Sequence, residues 1–231
     1  LFSLCGAGAD ETISLLTETR SRRVNIDLAV DALRAMRLPH QIVNVPGTPP
    51  TAGPIIRSTG ASTALTGEDD AVRRLCGSDL VIDLTVEGLM HAPQTAAILK
   101  SGARIMTISN EHPEILSRLR PDPGMKDVVR AAVAACRAAT MMTVTSPAGT
   151  DLAVAMTDIP TVGVWGWTDR PGTLAHWPGG LVVSFPRKAS CNGTIVFTPG
   201  DINLTFKRYF ESEVRCVIPV SYTHLTLPTK A

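Results

Sequence analysis

The sequence of 231 residues lacks the cysteine pattern of a disulfide scaffold or of a structural zinc site. None of its five cysteines forms a CxxC pair, and they lie far apart, at Cys5, Cys76, Cys136, Cys191 and Cys216. Such spacing favours reduced thiols and a cytoplasmic location. The sequence also lacks an apolar run long enough to span a membrane, so no membrane partner is expected.

An excess of charge of one sign is missing as well. The 22 basic and 21 acidic residues leave a net charge of +1, which gives no electrostatic reason to expect a nucleic acid or an anionic surface as a partner. The segment "CGAGADET" at residues 5–12 contains Gly6 and Gly8 of a dinucleotide fingerprint, but Glu11 stands at the third glycine position. The segment also precedes the first predicted strand instead of following it, so we do not expect NAD or FAD.

What the sequence does contain is an alternation of strand-like and helix-like segments over its first 145 residues. The strand-like segments are 12–17, 40–46, 79–85, 104–109 and 141–146, and the helix-like segments are 24–37, 68–76, 92–102, 112–119 and 125–140. This pattern predicts an α/β fold, with a Rossmann-like domain of mainly parallel strands at residues 1–142. Short β-like runs separated by Gly, Pro and Asn then predict a β-rich domain at residues 143–218.

The last thirteen residues, "PVSYTHLTLPTKA" at 219–231, do not continue either pattern. They resemble the translated adapter tail of some metagenomic gene fragments. We therefore interpret residues 219–231 as a non-native tail, assign no function to His224, and expect the chain to be a truncated fragment.

Two of the other histidines stand where chemistry is plausible. His176 lies in "LAHWPGGLV", directly before Trp177 and a turn in which Gly179 and Gly180 permit close backbone approach. It is either an acid/base beside a site for a planar ligand or a ring fixed by a turn carbonyl. His91 follows the buried segment "DLVIDLT" and is either a catalyst at a strand end or a hydrogen-bonded loop residue.

The acidic residues form no evident pair, since Asp83 and Asp169 have no partner at a useful spacing. The sequence contains no H-x-D or H-x₃-H arrangement either, so spacing alone predicts no metal site here.

Longer segments carry a resemblance to a known family. The stretches "DLTVEGLMHAP", "SNEHPEILSRLRPDP", "TVTSPAGTDLAVAM" and "RPGTLAHWPGGLVVSFPRKASCNGTIVFTPGDINLTFKRYF" resemble the family that joins M29-type metal aminopeptidases with 2,5-dihydroxypyridine 5,6-dioxygenase. The aminopeptidases carry a metal-binding acid just after the Pro-x-Gly turn, where this sequence has Leu181. The resemblance therefore favours the dioxygenase branch over the alternative, a metal-dependent aminopeptidase. A second alternative is a non-catalytic protein of the same fold that binds a small molecule.

The dioxygenase branch implies an oxidoreductase of aromatic catabolism, with Fe(II), O₂ and a small aromatic substrate such as a hydroxylated pyridine. Its two histidines and one aspartate that bind iron are expected beyond residue 218, so the chain by itself is expected to be inactive, and the intact enzyme to be a homo-oligomer. The resemblance assigns proton transfer to His91 and His176, and substrate contact to Trp177, Gly179 and Gly180.

Overall fold

The computed structural model describes residues 1–47, 62–203 and 208–218; the expected tail at 219–231, including His224, lies outside them. The helices are α1 (Arg23–Ala35), α2 (Asp69–Cys76), α3 (Thr95–Lys100), α4 (Pro113–Arg118) and α5 (Met125–Ala138). The strands are β1 (Ile13–Glu18), β2 (His40–Val45), β3 (Leu80–Asp83), β4 (Arg104–Thr107), β5 (Met141–Thr145), β6 (Asp151–Ala155), β7 (Thr161–Val164), β8 (Leu174–His176), β9 (Leu181–Ser184), β10 (Cys191–Phe197), β11 (Ile202–Asn203), β12 (Arg208–Tyr209) and β13 (Val214–Ile218).

The chain forms two compact units, and the first one is discontinuous in sequence. It comprises Leu1–Lys126 and Val164–Gly180, whereas the second comprises Asp127–Gly163 and the residues from Leu181 onward. This division differs from the predicted boundary at residue 142, because the chain returns to the first unit to add β8.

A five-stranded sheet in the order β2-β1-β3-β4-β8 forms the centre of the first unit. All its neighbouring strands run parallel. Successive strands leave β1 in opposite directions, β2 to one side and β3 to the other. The carboxyl ends of β1 and β3 therefore meet at a point where ligands commonly bind in open sheets.

Helices cover both faces of this sheet. The buried side chains that α1 and α4 pack on one face are Ala29, Leu33 and Leu116. The side chains that α2 and α3 pack on the other face are Ala71, Leu75 and Ile98. Because both faces are covered, β1 and β3 are continuously buried, which explains why their sequences lack the apolar/polar alternation of a half-exposed strand.

The second unit contains a four-stranded antiparallel sheet in the order β13-β10-β6-β5. A small core of Val154, Met156 and Ile159 packs against Cys136 of α5, Ala139 just after it, and residues of β6 and β10. The prediction of an α/β chain whose parallel sheet is followed by β-rich structure is confirmed at this level.

The segment at residues 5–12 packs against the amino-terminal ends of the parallel strands. Arg104, which opens β4, is 2.5 Å from Glu11 through Nη2 and Oε1, and its Nη1 donates to the Cys5 carbonyl at 2.6 Å. Its Nε donates to the Asp79 carbonyl at 3.3 Å. Glu11, the residue that breaks the dinucleotide fingerprint, is thus the ionic partner of a buried arginine.

Within the ranges that the structure describes, no helix is both long and apolar enough to cross a membrane. All five cysteines are free thiols, and Cys5 and Cys216 are buried. Burial is the main cause that raises the pKa of the Cys5 thiol.

We expect Arg104→Met to lower the free energy of unfolding by about 3 kcal/mol, because it leaves Glu11 and two carbonyl groups without their buried partner. The control is Arg23→Met, which removes the exposed ion pair with Asp27 and should change the free energy by less than about 0.5 kcal/mol. Urea unfolding measures both. Equal effects of the two substitutions would show that the Arg104 contacts do not stabilise the sheet edge.

Candidate active site

Four residues form a row across the sheet near the carboxyl ends of its strands. Leu16 is in register with Asp83, Asp83 with Thr107, and Thr107 with His176. Register partners in a parallel sheet point to the same face, which here is the face covered by α2 and α3. Since neighbouring strands lie about 4.8 Å apart, the backbones at Asp83 and His176 are about 10 Å apart.

His176 ends β8 and is half-buried, with its Nδ1 atom 3.2 Å from the Pro178 carbonyl oxygen. A carbonyl only accepts, so this contact requires the proton on Nδ1 and leaves the Nε2 lone pair available. The two sequence-based readings of His176 are therefore compatible. The turn carbonyl fixes the ring, and the ring keeps a basic nitrogen for proton transfer.

Trp177 lies on the opposite face from His176, because side chains alternate along β8. Its ring packs against the cluster beneath α1, and its Nε1 donates to the Leu119 carbonyl at 2.7 Å. The structure thus does not bring the imidazole and the indole together on one face.

The two glycines after Trp177 are packed against the chain itself. A Cβ atom at Gly179 would stand 2.1 Å from the Gly166 nitrogen, so the close approach that glycine permits here is to backbone. The Gly180 amide donates to the Val164 carbonyl at 2.9 Å. These contacts fix the turn that carries the Pro178 carbonyl and hence the orientation of His176.

His91 lies in the loop between β3 and α3, above the same face as the row. Residues 84–89 are buried, whereas the side chain of His91 is exposed. The loop is closed by an Ala92 amide that donates to the Leu89 carbonyl at 3.0 Å, and the Thr95 hydroxyl donates to the same carbonyl. Both predicted histidines therefore belong to the carboxyl-terminal edge of the sheet.

Sequence reasoning missed Asp83, which is fully buried in the row. Its Oδ1 accepts hydrogen bonds from the Thr85 amide at 3.0 Å and the Thr85 hydroxyl at 2.6 Å, and its Oδ2 accepts from the Leu89 amide at 2.7 Å. Burial raises the pKa of the Asp83 carboxyl, although these hydrogen bonds and the nearby Thr107 hydroxyl oppose the rise. The available signal was Asp two residues before Thr at the end of an apolar run, as in an Asx turn.

Two other histidines have structural contacts. His112 caps α4, because its Nδ1 accepts from the Glu114 amide at 3.2 Å. His40 opens β2 and places Nδ1 3.1 Å from the Leu38 carbonyl.

In residues 1–47, 62–203 and 208–218, no group of three or more His, Cys, Asp or Glu side chains is arranged to hold a metal ion. The described part of the chain therefore does not fit a complete iron site. The chemistry that its residues offer is proton transfer by imidazole.

Comparison with known proteins gives a consistent set of similarities. A model of the 2,5-dihydroxypyridine 5,6-dioxygenase family (NicX) matches residues 1–224. The chain is 34% identical over 209 residues to the 2,5-dihydroxypyridine 5,6-dioxygenase of Pseudomonas putida KT2440, a match that covers 89% of this chain and 59% of the relative. The solved structure of the dioxygenase from the same organism matches with a TM-score of 0.82 at 31% identity, over 94% of this chain and 62% of that one. The chain thus spans about three fifths of the length of the relatives that it matches.

We expect Gly179→Ala to lower the free energy of unfolding by about 1–3 kcal/mol, because its methyl group would overlap the Gly166 backbone. Gly8→Ala is the control, since a Cβ atom there meets nothing within 4 Å. Thermal unfolding of both variants measures the difference. A Gly179→Ala protein as stable as the control would contradict the packing described for the turn.

The stability difference between the native chain and Asp83→Asn should depend on pH. Because the folded-state pKa of Asp83 is raised, the folded chain holds this proton more tightly than the unfolded chain does. The stability of the native chain relative to the variant should therefore fall as the pH rises above about 3.9, the usual pKa of aspartate, until the folded-state pKa is passed. Urea unfolding from pH 4 to pH 8 measures this difference. If the stability of the native chain relative to Asp83→Asn rose with pH over this range, the folded-state pKa of Asp83 would be lowered and not raised.

Proposed function

Because the chain belongs to the 2,5-dihydroxypyridine 5,6-dioxygenase family, we propose that it forms the proton-transferring part of an enzyme that cleaves a hydroxylated pyridine, or a similar small aromatic ring, with O₂. The observation that carries the proposal is the pair of histidines at the carboxyl edge of the sheet. His176 has a fixed ring with an available Nε2, and His91 has an exposed ring.

The proposed roles follow from these two environments. His176 accepts the proton of a ring hydroxyl through Nε2, since Nδ1 is engaged with the Pro178 carbonyl. His91, whose side chain is exposed to solvent, donates the second proton that the reaction requires during ring opening and can regain a proton from water. The substrate contact that the resemblance gives to Trp177, Gly179 and Gly180 is proposed to be indirect, since these residues hold the turn that orients His176.

Fe(II) is proposed as the cofactor of the intact enzyme, with ligands that follow residue 218, and it would supply the site for O₂ and the ring. Leu181 supports this branch over the aminopeptidase branch, because a leucine at the position after the turn cannot bind a metal.

The proposal also covers the domain arrangement, the cellular location and the assembly of the intact enzyme. The parallel strands β1 to β4 support a Rossmann-like assignment for residues 1–142, although the chain later adds β8 to their sheet from the predicted β-rich domain at 143–218. The five free thiols support a cytoplasmic location. A homo-oligomeric assembly is proposed for the intact enzyme, with no nucleic acid or membrane partner.

The test uses the full-length protein that contains this chain, loaded anaerobically with Fe(II) and then given O₂ and 2,5-dihydroxypyridine. We expect O₂ consumption together with loss of the ring absorbance. Absence of O₂ uptake, with release of amino acids from peptides after addition of cobalt or zinc, would overturn the proposal in favour of an aminopeptidase. Substrate binding without either reaction would favour a non-catalytic protein.

In the same assay, His176→Ala and His91→Ala should each lower kcat by about 10²–10⁴-fold, the usual contribution of a positioned acid/base. His40→Ala is the matched control, because His40 stands at the amino-terminal end of β2. A full rate in either of the first two variants would remove that histidine from the mechanism.

A further inference from the structure

The geometry points to Asp83 as a positioning residue for His91: we propose that its carboxylate holds the loop after β3 in the form that presents the His91 imidazole at the carboxyl edge of the sheet. This inference rests on the proposed function, because it concerns the role given to His91. It assigns to Asp83 no contact with substrate.

The contacts of Asp83 reach along the loop toward His91. Oδ1 holds the start of the loop through the amide and hydroxyl of Thr85, and Oδ2 holds its middle through the Leu89 amide at 2.7 Å. Leu89 lies two residues before His91. One fully buried carboxylate therefore fixes the loop at two points and brings its chain back toward the end of β3.

The loop after β3 is tightly packed on both sides of His91, whereas the side chain of His91 is exposed. A Cβ atom at Gly88 would stand 2.4 Å from the Ser109 hydroxyl and 3.0 Å from the Thr107 Cγ2 atom, so the loop backbone lies directly on the end of β4. Leu89 and Ala92 are buried in the cluster beneath α2 and α3. His91, between these two buried residues, has the exposed side chain.

Asp83 itself is unsuited to act as the acid or base. Its carboxylate is sealed from solvent, and each of its oxygens already accepts a hydrogen bond from the loop. A general acid or base must reach the proton that it transfers, directly or through one water. The carboxylate therefore acts on the reaction through the backbone that carries His91.

A kinetic double-mutant cycle tests this role in the iron-loaded enzyme, with Asp83→Asn, His91→Ala and the double variant. The asparagine keeps an oxygen for Thr85 but faces the Leu89 amide with an NH₂ group. We expect kcat to fall at least tenfold with KM changed less than threefold, and we expect Asp83→Asn to have less than a twofold effect once His91 is alanine. Equal losses of kcat in both backgrounds would overturn the proposal, since a general structural effect would not require His91.

Asp79→Asn is the matched control. Asp79 directly precedes β3 and also accepts a backbone hydrogen bond, from the Thr12 amide at 2.8 Å, but it lies at the opposite edge of the sheet. It should leave kcat and KM unchanged. Thr85→Val is the milder variant if Asp83→Asn does not fold, because it removes the 2.6 Å hydroxyl bond and keeps the amide bond. A kcat unchanged by Thr85→Val would then count against the proposal.

A measurement without turnover separates this proposal from the proposed function. In protein labelled with ¹³C-histidine, the ring signal of His91 is assigned by its loss in His91→Ala. We expect Asp83→Asn or Thr85→Val to change the chemical shift of this signal, while the His40 signal stays in place. An unmoved His91 signal would overturn the role of Asp83 even in an active enzyme. A moved signal in a protein without dioxygenase activity would support the positioning and refute only the proposed reaction.

Discussion

The parallel pairing of β8 with β4 is the constraint on which the candidate site depends. It places His176 beside Thr107 and in line with Asp83, on the face that also carries the His91 loop. Without this pairing, His176 would be a histidine in a turn with no relation to the rest of the sheet. The turn after β8 then completes the arrangement, since its carbonyl determines which imidazole nitrogen holds the proton.

The two ends of the parallel strands have different roles: contacts at the amino-terminal ends stabilise the fold, and the carboxyl-terminal ends carry the candidate site. At the amino-terminal ends of the strands, the buried Arg104 binds the partly exposed Glu11 and two carbonyl groups. At the carboxyl-terminal edge, Asp83 uses its hydrogen bonds to shape a loop whose next residues reach solvent. Both ends of the strands bury an ionisable side chain, Arg104 at one and Asp83 at the other, and the loop that Asp83 holds carries the exposed His91.

The sequence was sufficient for the alternation of strands and helices up to β5 and for the β-rich character that follows, because these depend on local periodicity. It was insufficient for β8, whose three residues carry no periodic signal and whose partner β4 lies about seventy residues earlier. The search for acid pairs by spacing also failed at Asp83, because its partners are two backbone amides and the Thr85 hydroxyl and not a second acid. Trp177 shows the same limit, since it directly follows His176 in sequence but strand alternation places the two rings on opposite faces.

The discontinuity of the first unit has a consequence for how the chain acquires this site. β4 remains an open edge during synthesis until residues 174–176 have been made, after the intervening segment from Asp127 to Gly163. Closing a loop of that length costs conformational entropy, but the cost grows only with the logarithm of its length. The histidine of β8 is therefore the last residue of the row to be synthesised, so the row can be completed only after the other four strands of the sheet have been made.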